Sequence, residues 1–385
     1  MSTASRDEFL EDALARYVAT PSVNPAFSDG STHEAAMASV VARDLEEAGL
    51  EVTVIAAGPG RDSVVGRLPG TGGGRSLMLN GHLDTVGPGG MERPFEPRLE
   101  GRHLHGRGSY DMKSGLASCV AAARALARGP RLAGDVVVTA VADEEEASLG
   151  MQAVLAAVRT DGAIVTEPTE LEICIAHKGF LWVELVTHGR AAHGSRFREG
   201  IDANLRMGRV LAALEPLERA LREGTGHALL GPGSMHVGTL HGGAGLSVYA
   251  DRCVAGLERR TLPGERTDEI LAELQGLLDT LTWQDPSFRA ELRLLLERAP
   301  FEAHDGSDVV RTLDRAFAQV QGASPRRQGG SYWMDAAFIQ AAGIDTVVFG
   351  PSGTGAHADV EWVDLDSLQT HCRVLQQAAR TYCAA

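Results

Sequence analysis

The sequence predicts an α/β protein with a mostly parallel sheet, helices on both of its faces, and an inserted α+β domain. Strands and helices alternate up to about residue 166 and again after 300, whereas the stretch between them combines two long helices with alternating strands. The chain has 385 residues, and one hydrophobic core rarely serves more than about 250–300. Apolar residues make up 44 % of the chain, which is ordinary for a globular protein with a sizeable core.

The first region alternates helical and strand patterns in the order that βαβ units require. One helical pattern ends at Gly49, and glycine commonly follows the last turn of a helix. We therefore predict helices at about 33–48, 115–127 and 148–158, and strands at 51–55, 63–68, 76–80, 135–141 and 162–166.

The pattern changes near residue 179, and helix–strand alternation returns after 300. The simplest architecture is one discontinuous α/β domain, 1–179 and 297–385, interrupted by an inserted domain at 180–296. The insert has predicted strands at 180–187, 233–256 and 288–295 and helices at 202–222 and 267–282. After it come predicted helices at 307–320, 333–342 and 365–381 and a strand at 344–349.

The net charge and the cysteine content indicate which partners are excluded and which cellular compartment is expected. The 36 Lys and Arg against 51 Asp and Glu give a net charge of −15, which argues against nucleic acid or an anionic membrane surface as partner. We see no apolar run of about 18 residues, so we expect no membrane span. Five cysteines, odd in number and without a CxxC pair, suit reduced thiols and predict a cytoplasmic protein.

Four acidic or histidine clusters stand at the ends of predicted strands, where open α/β sheets place their sites. In LMLNGHLDTV, His82 and Asp84 are two residues apart on an extended segment, so both side chains leave the same face. The carboxylate of Asp84 could accept the second ring proton of His82 and orient that ring toward a metal. A surface turn after Asn80-Gly81 is the alternative interpretation.

The second cluster, GRGSYDMKSG, places Asp111 between a glycine-rich turn and a predicted helix. An Asp before a helix is usually a capping residue, but Ser114 is better placed for that role. Asp111 is therefore available for another function.

In the third cluster, Asp143, Glu144, Glu145 and Glu146 follow a buried strand. Such a run is normally a solvated charge run, but a buried strand directs some of these side chains inward. Adjacent carboxylates can then divide labour, one binding a metal and the other acting as a base.

Glu167 ends another strand before Pro168, and His357 follows the strand IDTVVF. The stretch 350–355 has the GxxxxG spacing of a phosphate loop, but Ala356 and His357 stand where its Lys and Ser/Thr are required. Mixed nitrogen and oxygen ligands suit zinc, and several carboxylates together suit two ions about 3.5–4 Å apart.

Five motifs together resemble a known family. GHLDTV, GRGSYDMKSG, ADEEEASLG, TEPT and GAHADVE occur in the order and spacing of the di-zinc metallopeptidase and amidohydrolase family. That family includes acetylornithine deacetylase, succinyl-diaminopimelate desuccinylase, aminoacylase and glutamate carboxypeptidase. The resemblance extends over nearly the whole chain, insert included.

The resemblance implies two Zn²⁺ ions per subunit, with Co²⁺ or Mn²⁺ as possible substitutes. It further implies that the discontinuous domain is catalytic and that the peptide bond after Asp111 is cis. One ion would be bound by His82, Asp111 and Glu167, and the other by Asp111, Glu145 and His357.

It also implies the catalytic roles, with Asp84 orienting His82 and Glu144 acting as general base. The insert resembles the dimerisation or lid domain of the family, in which His193 of one subunit reaches into the site of a partner in a homodimer. Arg260 matches the arginine that binds a substrate carboxylate, whereas its neighbour Arg259 is expected on the opposite face of that strand.

Four positions depart from the family pattern, and one of them is Ala147, which replaces the usual Gly after the acidic run. Ser247 and Ala250 stand where many relatives have Asn and Pro in the insert, and that Asn helps to bind the substrate, so Ser247 is the candidate at this position. Near the C-terminus, Val360 precedes Glu361 where Asn or Asp is common.

The implied reaction is zinc-dependent hydrolysis of the amide bond of an N-acyl amino acid, releasing a carboxylate and a free amino acid. A metallo-dipeptidase or a glutamate-carboxypeptidase-like enzyme is the alternative, because its substrates also place an amide beside a carboxylate. A non-catalytic binding protein with the same fold is a more remote alternative and would be expected to lack Glu144 or some ligands, all of which are present. The expected partners are a small-molecule substrate and a second copy of the chain.

Overall fold

The computed structural model describes residues 7–28 and 34–385, so the start of the first predicted helix at residue 33 lies outside the described residues. The chain divides into two compact units. The first unit contains the described residues up to Ile175 together with Ala303–Gln328 and Met334–Ala385, and the second contains Ala176–Glu302 and Gly329–Trp333. The joins were predicted at about 179 and 297, and the sequence analysis did not separate the short segment Gly329–Trp333 from its surroundings.

The described residues form helices mainly where the apolar pattern has a period of 3.6. They are α1 (Glu8–Ala19), α2 (Ala35–Glu47), α3 (Lys113–Ala127), α4 (Leu149–Ala157), α5 (Ala203–Glu223), α6 (Thr267–Gln284), α7 (Asp308–Gln321), α8 (Ala336–Ala341) and α9 (Leu365–Tyr382), with a short 3₁₀ turn at Pro25–Phe27.

The strands coincide with the apolar, β-branched runs and include several shorter segments. They are β1 (Glu51–Ala56), β2 (Asp62–Leu68), β3 (Leu77–His82), β4 (Arg98–Glu100), β5 (His103–His105), β6 (Val136–Val141), β7 (Gly162–Val165), β8 (Ile173–His177), β9 (Gly179–His188), β10 (Ser234–Gly242), β11 (Arg252–Thr261), β12 (Ala290–Arg298), β13 (Phe301–Glu302), β14 (Arg327–Gly330), β15 (Asp345–Val348), β16 (Gly353–Thr354) and β17 (Trp362–Asp364).

The main sheet of the first unit has the strand order β1-β2-β6-β3-β7-β15-β8. Its centre is parallel, because β3 pairs with both β6 and β7 and β15 continues in the same direction beside β7. The flanking pairs are antiparallel. Every residue of β3 and β6 is buried, as expected for parallel strands covered on both faces. The α/β fold class with a mostly parallel sheet is confirmed.

The helices of the first unit contact one another in two groups. The helix α3, rich in small residues, packs against α1, α2 and α9, and α7 packs against α9. The helices α4 and α8 contact each other, and α4 also lies against β1, β2 and β6. A second sheet of the same unit, β16-β17-β5-β4, consists of strands of two or three residues that the sequence analysis did not predict.

The second unit contains a four-stranded antiparallel sheet, β10-β11-β9-β12. Alternate residues of its inner strands, such as Leu181, Val183 and Leu257, are buried together with residues of α5 and α6. The other residues of these strands, among them Trp182 and Arg260, belong to the opposite face of the sheet.

Among the helices of the described segments, none combines the length and apolar character that crossing a bilayer requires.

Candidate metal centre and catalytic site

Three adjacent parallel strands of the first unit bring the candidate ligands together. His82 is the last residue of β3, the acidic run follows β6 on one side, and Glu167 follows β7 on the other. The backbone amide of Leu83 donates to the carbonyl of Val141 at 2.7 Å, which aligns the ends of β3 and β6. Parallel strands that are neighbours end at the same edge of a sheet, and this edge is where open α/β sheets place their sites.

Asp111 reaches the same place from the loop between β5 and α3. This loop is held by the buried carboxylate of Glu361, whose Oε1 accepts the backbone amides of Tyr110 and Asp111 at 2.9 and 3.0 Å. Its Oε2 accepts Nη1 of Arg107 at 2.7 Å and the amide of Gly108 at 3.0 Å. The peptide bond after Asp111 is cis.

His357 comes from the loop between β16 and β17, where its backbone has a left-handed φ of 61°. Its Nε2 lies 3.0 Å from Oδ2 of Asp111 and 3.1 Å from Oε2 of Glu145. On the other side, Nε2 of His82 lies 3.3 Å from Oδ1 of Asp111 and 3.7 Å from Oε1 of Glu167. The two carboxylate oxygens of Asp111 therefore face different histidines.

These separations fit two groups of metal ligands that share Asp111. Ligand atoms bound tetrahedrally at about 2.0–2.2 Å from one ion lie about 3.4 Å from each other. The Oε1 atom of Glu145 is buried and has no hydrogen-bond partner among the described residues. This oxygen is therefore available as a metal ligand. Imidazole nitrogen with carboxylate oxygen is the donor set that zinc and similar divalent ions take. The residues present fit a pair of such ions.

The electrostatics of the cluster favour added positive charge. Burial raises the pKa of Glu167 to about 8, and although His82 lowers it, Asp111 and Glu145 raise it further. Burial likewise raises the pKa of Glu144 above its ordinary value. Hydrogen bonds with Asp111 and Glu145 raise the pKa of His357 to about 10. Crowded carboxylates in a buried site are stabilised by nearby cations.

The structure differs from the sequence-based expectation in the contacts of Asp84 and in the position of Ser114. Nδ1 of His82 hydrogen-bonds the backbone carbonyl of Asp84 at 2.9 Å, whereas the carboxylate expected there is 3.6 Å away. That carboxylate instead accepts the backbone amides of Glu144 and Glu145 at 3.1 and 3.2 Å. The helix α3 begins at Lys113, and Ser114, expected to cap it, lies inside its first turn.

The candidates in the insert lie in the second unit. The chain segments of His193 and Ser247 are adjacent, because His193 forms a bridge with Val248 and the amide of Gly194 donates to the carbonyl of Ser247 at 2.7 Å. The side chains of both candidates are exposed, and Nδ1 of His193 lies 2.8 Å from Oγ of Ser195.

The successive arginines Arg259 and Arg260 of β11 lie on opposite faces of the strand. Arg259 is buried and pairs with Glu265. Arg260 is partly exposed, donates from Nε to Oε1 of Glu258 at 2.8 Å, and has its guanidinium 5.1 Å from the centre of the Phe180 ring.

A sequence model of peptidase family M20/M25/M40 matches residues 78–381, which is most of the chain. The chain belongs to this family. It is therefore a hydrolase of the metallopeptidase and amidohydrolase class, and the resemblance drawn from the five motifs is confirmed.

Proteins similar to this chain are described with different activities. An acetylornithine deacetylase from Myxococcus xanthus is 30 % identical over 348 residues, covering 88 % of this chain and 86 % of the relative. A tripeptidase structure from Staphylococcus aureus superposes with a TM-score of 0.81 at 17 % identity, covering 99 % of this chain and 100 % of the other. The Bacillus subtilis YXEP structure, described as a dinuclear metal-binding peptidase of the M20 family, has a TM-score of 0.75 at 16 % identity and covers 97 % of both chains.

Two buried residues that hold the site of this M20 member in place could not be predicted from the sequence pattern. The family pattern draws attention to Val360, the residue before Glu361, whereas it is the carboxylate of Glu361 that holds the loop of Asp111. Asn24 hydrogen-bonds Asp84, yet Asn24-Pro25 in the sequence indicates only a turn. Neither residue belongs to a periodic pattern that would point to the site.

Proposed function

We propose that this chain hydrolyses the amide bond of an N-acyl amino acid at a pair of divalent ions and releases a carboxylate and a free amino acid. The observation that carries the proposal is the position of Asp111, whose Oδ1 faces His82 and whose Oδ2 faces His357. A carboxylate in this position can hold two ions together, which is the arrangement of two-metal hydrolases.

The residues would divide into two ligand groups with Asp111 common to both. Zn²⁺ suits this mixture of imidazole and carboxylate, and Co²⁺ or Mn²⁺ would accept the same donors. Bound ions of this kind lower the pKa of water and polarise a carbonyl oxygen. The groups are His82, Asp111 and Glu167 for one ion and Asp111, Glu145 and His357 for the other.

Glu144 would hold and move the proton. A carboxylate oxygen of Glu144 lies within 4.8 Å of candidate ligand atoms of His82 and Glu167, so the side chain reaches the site. Its backbone amide donates a hydrogen bond to Asp84, so the backbone that carries the Glu144 side chain is held in place. In the proposed reaction, Glu144 takes the proton of the attacking water and returns it to the departing amine.

The second unit would supply the groups that recognise substrate. Arg260 is the proposed partner of the carboxylate next to the scissile amide, and it would have to exchange its bond to Glu258 for one to the substrate. His193 is the proposed donor to the oxyanion of the tetrahedral intermediate, and Ser247 on the adjacent segment is a further candidate for polar contact.

A homodimer is part of the proposal, with His193 acting in the site of the partner. The exposed position of His193 supports it, as do Leu240 of the edge strand β10 and the neighbouring Leu246 and Val248, which are also exposed. Light scattering on the active protein tests this part. A monomeric mass with full activity would remove His193 from the mechanism.

We further propose a reducing compartment, the cytoplasm, for this protein. Its five cysteines are all buried, and burial raises the pKa of Cys119 and Cys372 to about 12. Thiols of this kind are structural and suit a reducing environment.

A panel of substrates would show which acyl group the protein removes. The zinc-loaded protein would be incubated with Nα-acetylornithine, N-succinyl-diaminopimelate and unblocked dipeptides, and amine release would be measured. The similarity to an acetylornithine deacetylase leads us to expect release from an N-acyl amino acid, with none after treatment with a chelator. Release from dipeptides alone would replace the deacylase with a dipeptidase. No release from any substrate by protein with two bound ions would contradict the proposal.

A further inference from the structure

Asn24 is a buried amide whose hydrogen-bonding groups are all used. It stands just before the 3₁₀ turn Pro25–Phe27, and its Oδ1 accepts the backbone amide of Ala26 at 3.0 Å. Its Nδ2 donates to Oδ2 of Asp84 at 2.8 Å and to Oδ1 of Asp143 at 2.9 Å. One side chain therefore joins two buried carboxylates that are 59 positions apart in sequence (143 − 84).

Each of these carboxylates holds one end of the acidic loop. Asp84 accepts the backbone amides of Glu144 and Glu145 at the start of the loop. Asp143 accepts the amide of Leu149, the first residue of α4, at 3.3 Å through its Oδ2. Asp143 itself has a left-handed φ of 67°, a conformation that a residue other than glycine keeps only when its surroundings hold it there.

The charge around Asn24 explains why an amide is suited to this position. Arg61 pairs with Asp143 at 2.9 Å and with Glu34, and it donates to Oδ1 of Asn24 at 3.2 Å. An aspartate at position 24 would add a carboxylate beside Asp84 and Asp143. An apolar residue would leave both with one fewer donor in a buried place. Asparagine supplies two donors without charge.

We propose that Asn24 is a positioning residue for Glu144, acting by tying Asp84 to Asp143 and so fixing the loop that carries the base. The kinetic consequence rests on the proposed function of Glu144. The structural consequence does not, because the hydrogen bonds fix the loop whatever reaction takes place. Asn24 contacts neither the proposed metal ligands through its side chain nor the side chain of Glu144 in any hydrogen bond that we observe.

The test compares Asn24→Ala with Ser22→Ala. Ser22 is equally buried, and its Oγ donates to the carbonyl of Leu83 at 2.7 Å. It therefore connects the segment of Asn24 to the segment of Asp84, as Asn24 does, but in the hydrogen bonds we observe it does not reach Asp143. We expect Asn24→Ala to lower kcat by about 10–100-fold, with KM changed by less than about threefold and both metal ions retained. Ser22→Ala should stay near the wild-type kcat.

Hydrogen–deuterium exchange supplies a readout that does not depend on activity. In metal-free and in zinc-loaded protein, peptides that cover residues 142–150 should exchange faster in Asn24→Ala than in the wild type and remain unchanged in Ser22→Ala. If the wild type hydrolyses nothing in the substrate panel, the proposed function fails, while this comparison still decides whether Asn24 fixes the loop.

Any of these results would overturn the proposal: unchanged exchange in Asn24→Ala, a kcat within about threefold of wild type, or equal losses in Asn24→Ala and Ser22→Ala. Loss of a metal ion in Asn24→Ala would also overturn it, because Asn24 would then act through the proposed ligand Glu145 on the same loop and not through the position of Glu144. Should Asn24→Ala fail to fold, Asn24→Ser replaces it with the same expectations. Serine keeps an acceptor for Ala26 but offers only one donor.

Discussion

The carboxylate of Glu361 accepts the backbone amide of Asp111 at 3.0 Å, joining residues that are 250 positions apart in sequence. Three further donors complete its hydrogen bonds, so this one buried carboxylate contacts the loop that presents Asp111 at several points. Because Asp111 faces both His82 and His357, the geometry of the whole candidate metal centre depends on this contact.

Glu361→Gln tests that dependence. The amide nitrogen of Gln cannot accept the donors that converge on Glu361, so the loop should shift and the affinity for zinc should fall by about 10–100-fold. Competition with a chromophoric chelator measures this affinity. Asp359→Asn is the control, because Asp359 is exposed on the same segment and accepts only the amide of Gly90 in the hydrogen bonds we observe. Equal zinc affinity in Glu361→Gln and wild type would contradict the assignment.

Glu144 and Glu145 are adjacent, yet their replacements should have different effects. Glu144→Ala should lower kcat by about 10²–10⁴-fold while both ions remain, because the side chain is the proposed base. Glu145→Ala should lose one ion, because Glu145 lies beside His357 in the second ligand group. Elemental analysis of dialysed protein measures both outcomes. The same zinc content in the two variants would refute this division of roles.

Arg260 is predicted to bind the carboxylate of the substrate. Arg260→Met should raise KM by about 10–100-fold with little change in kcat, because a charge-assisted hydrogen bond is lost in both the ground and transition states. A substrate whose carboxylate is esterified should show no such difference between the variant and wild type. The control is Arg252→Met, an exposed arginine on the same strand β11. An equal rise in KM for the esterified substrate would argue for a different role.

His371 should make the stability of the first unit depend on pH. It is fully buried on α9, its Nε2 donates to the carbonyl of Phe349 at 3.0 Å, and burial lowers its pKa to about 3. Since the unfolded chain protonates this histidine near pH 6.5, the unfolded state binds more protons between pH 6.5 and 3. The contribution of neutral, buried His371 to the free energy of unfolding is therefore complete above pH 6.5 and is lost as the pH falls from 6.5 toward 3.

The loss attributable to His371 should approach about 1.4 kcal/mol per pH unit. Chemical denaturation at several pH values between 7 and 4 would measure it, and His371→Gln should have a shallower pH dependence than wild type. His304→Gln, which changes an exposed histidine, should keep the wild-type slope. Identical slopes in wild type and His371→Gln would show that this burial has no effect on proton binding.

The sequence predicts the sheet and the strand-end ligands because both depend on local pattern. Buried apolar runs mark β3, β6 and β7, and parallel neighbours place the residues after them at one edge. The sequence pattern alone therefore predicts that three ligands lie close together, namely His82, Glu145 and Glu167. The two-residue and three-residue strands of the small sheet, by contrast, are too short to have a period.

Contacts between distant parts of the chain could not be predicted in this way. The Asn24–Asp143 hydrogen bond joins residues 119 positions apart, and the Glu361–Asp111 bond joins residues even farther apart. The spacing of His82 and Asp84 correctly places both at the site, but it cannot distinguish a carboxylate from a backbone carbonyl as the partner of the ring nitrogen. That choice depends on the amides of Glu144 and Glu145, which occupy the carboxylate.

The central claim is that Asp111 holds two divalent ions, and counting bound ions tests it most directly. Metal-free protein would be titrated with Zn²⁺ in a calorimeter, and the zinc content after dialysis would be measured by elemental analysis. The account predicts two ions per chain for the wild type and loss of both tightly bound ions in Asp111→Ala, with the folded state checked by circular dichroism. A wild type that binds one ion or none, or an Asp111→Ala variant that retains two, would contradict it.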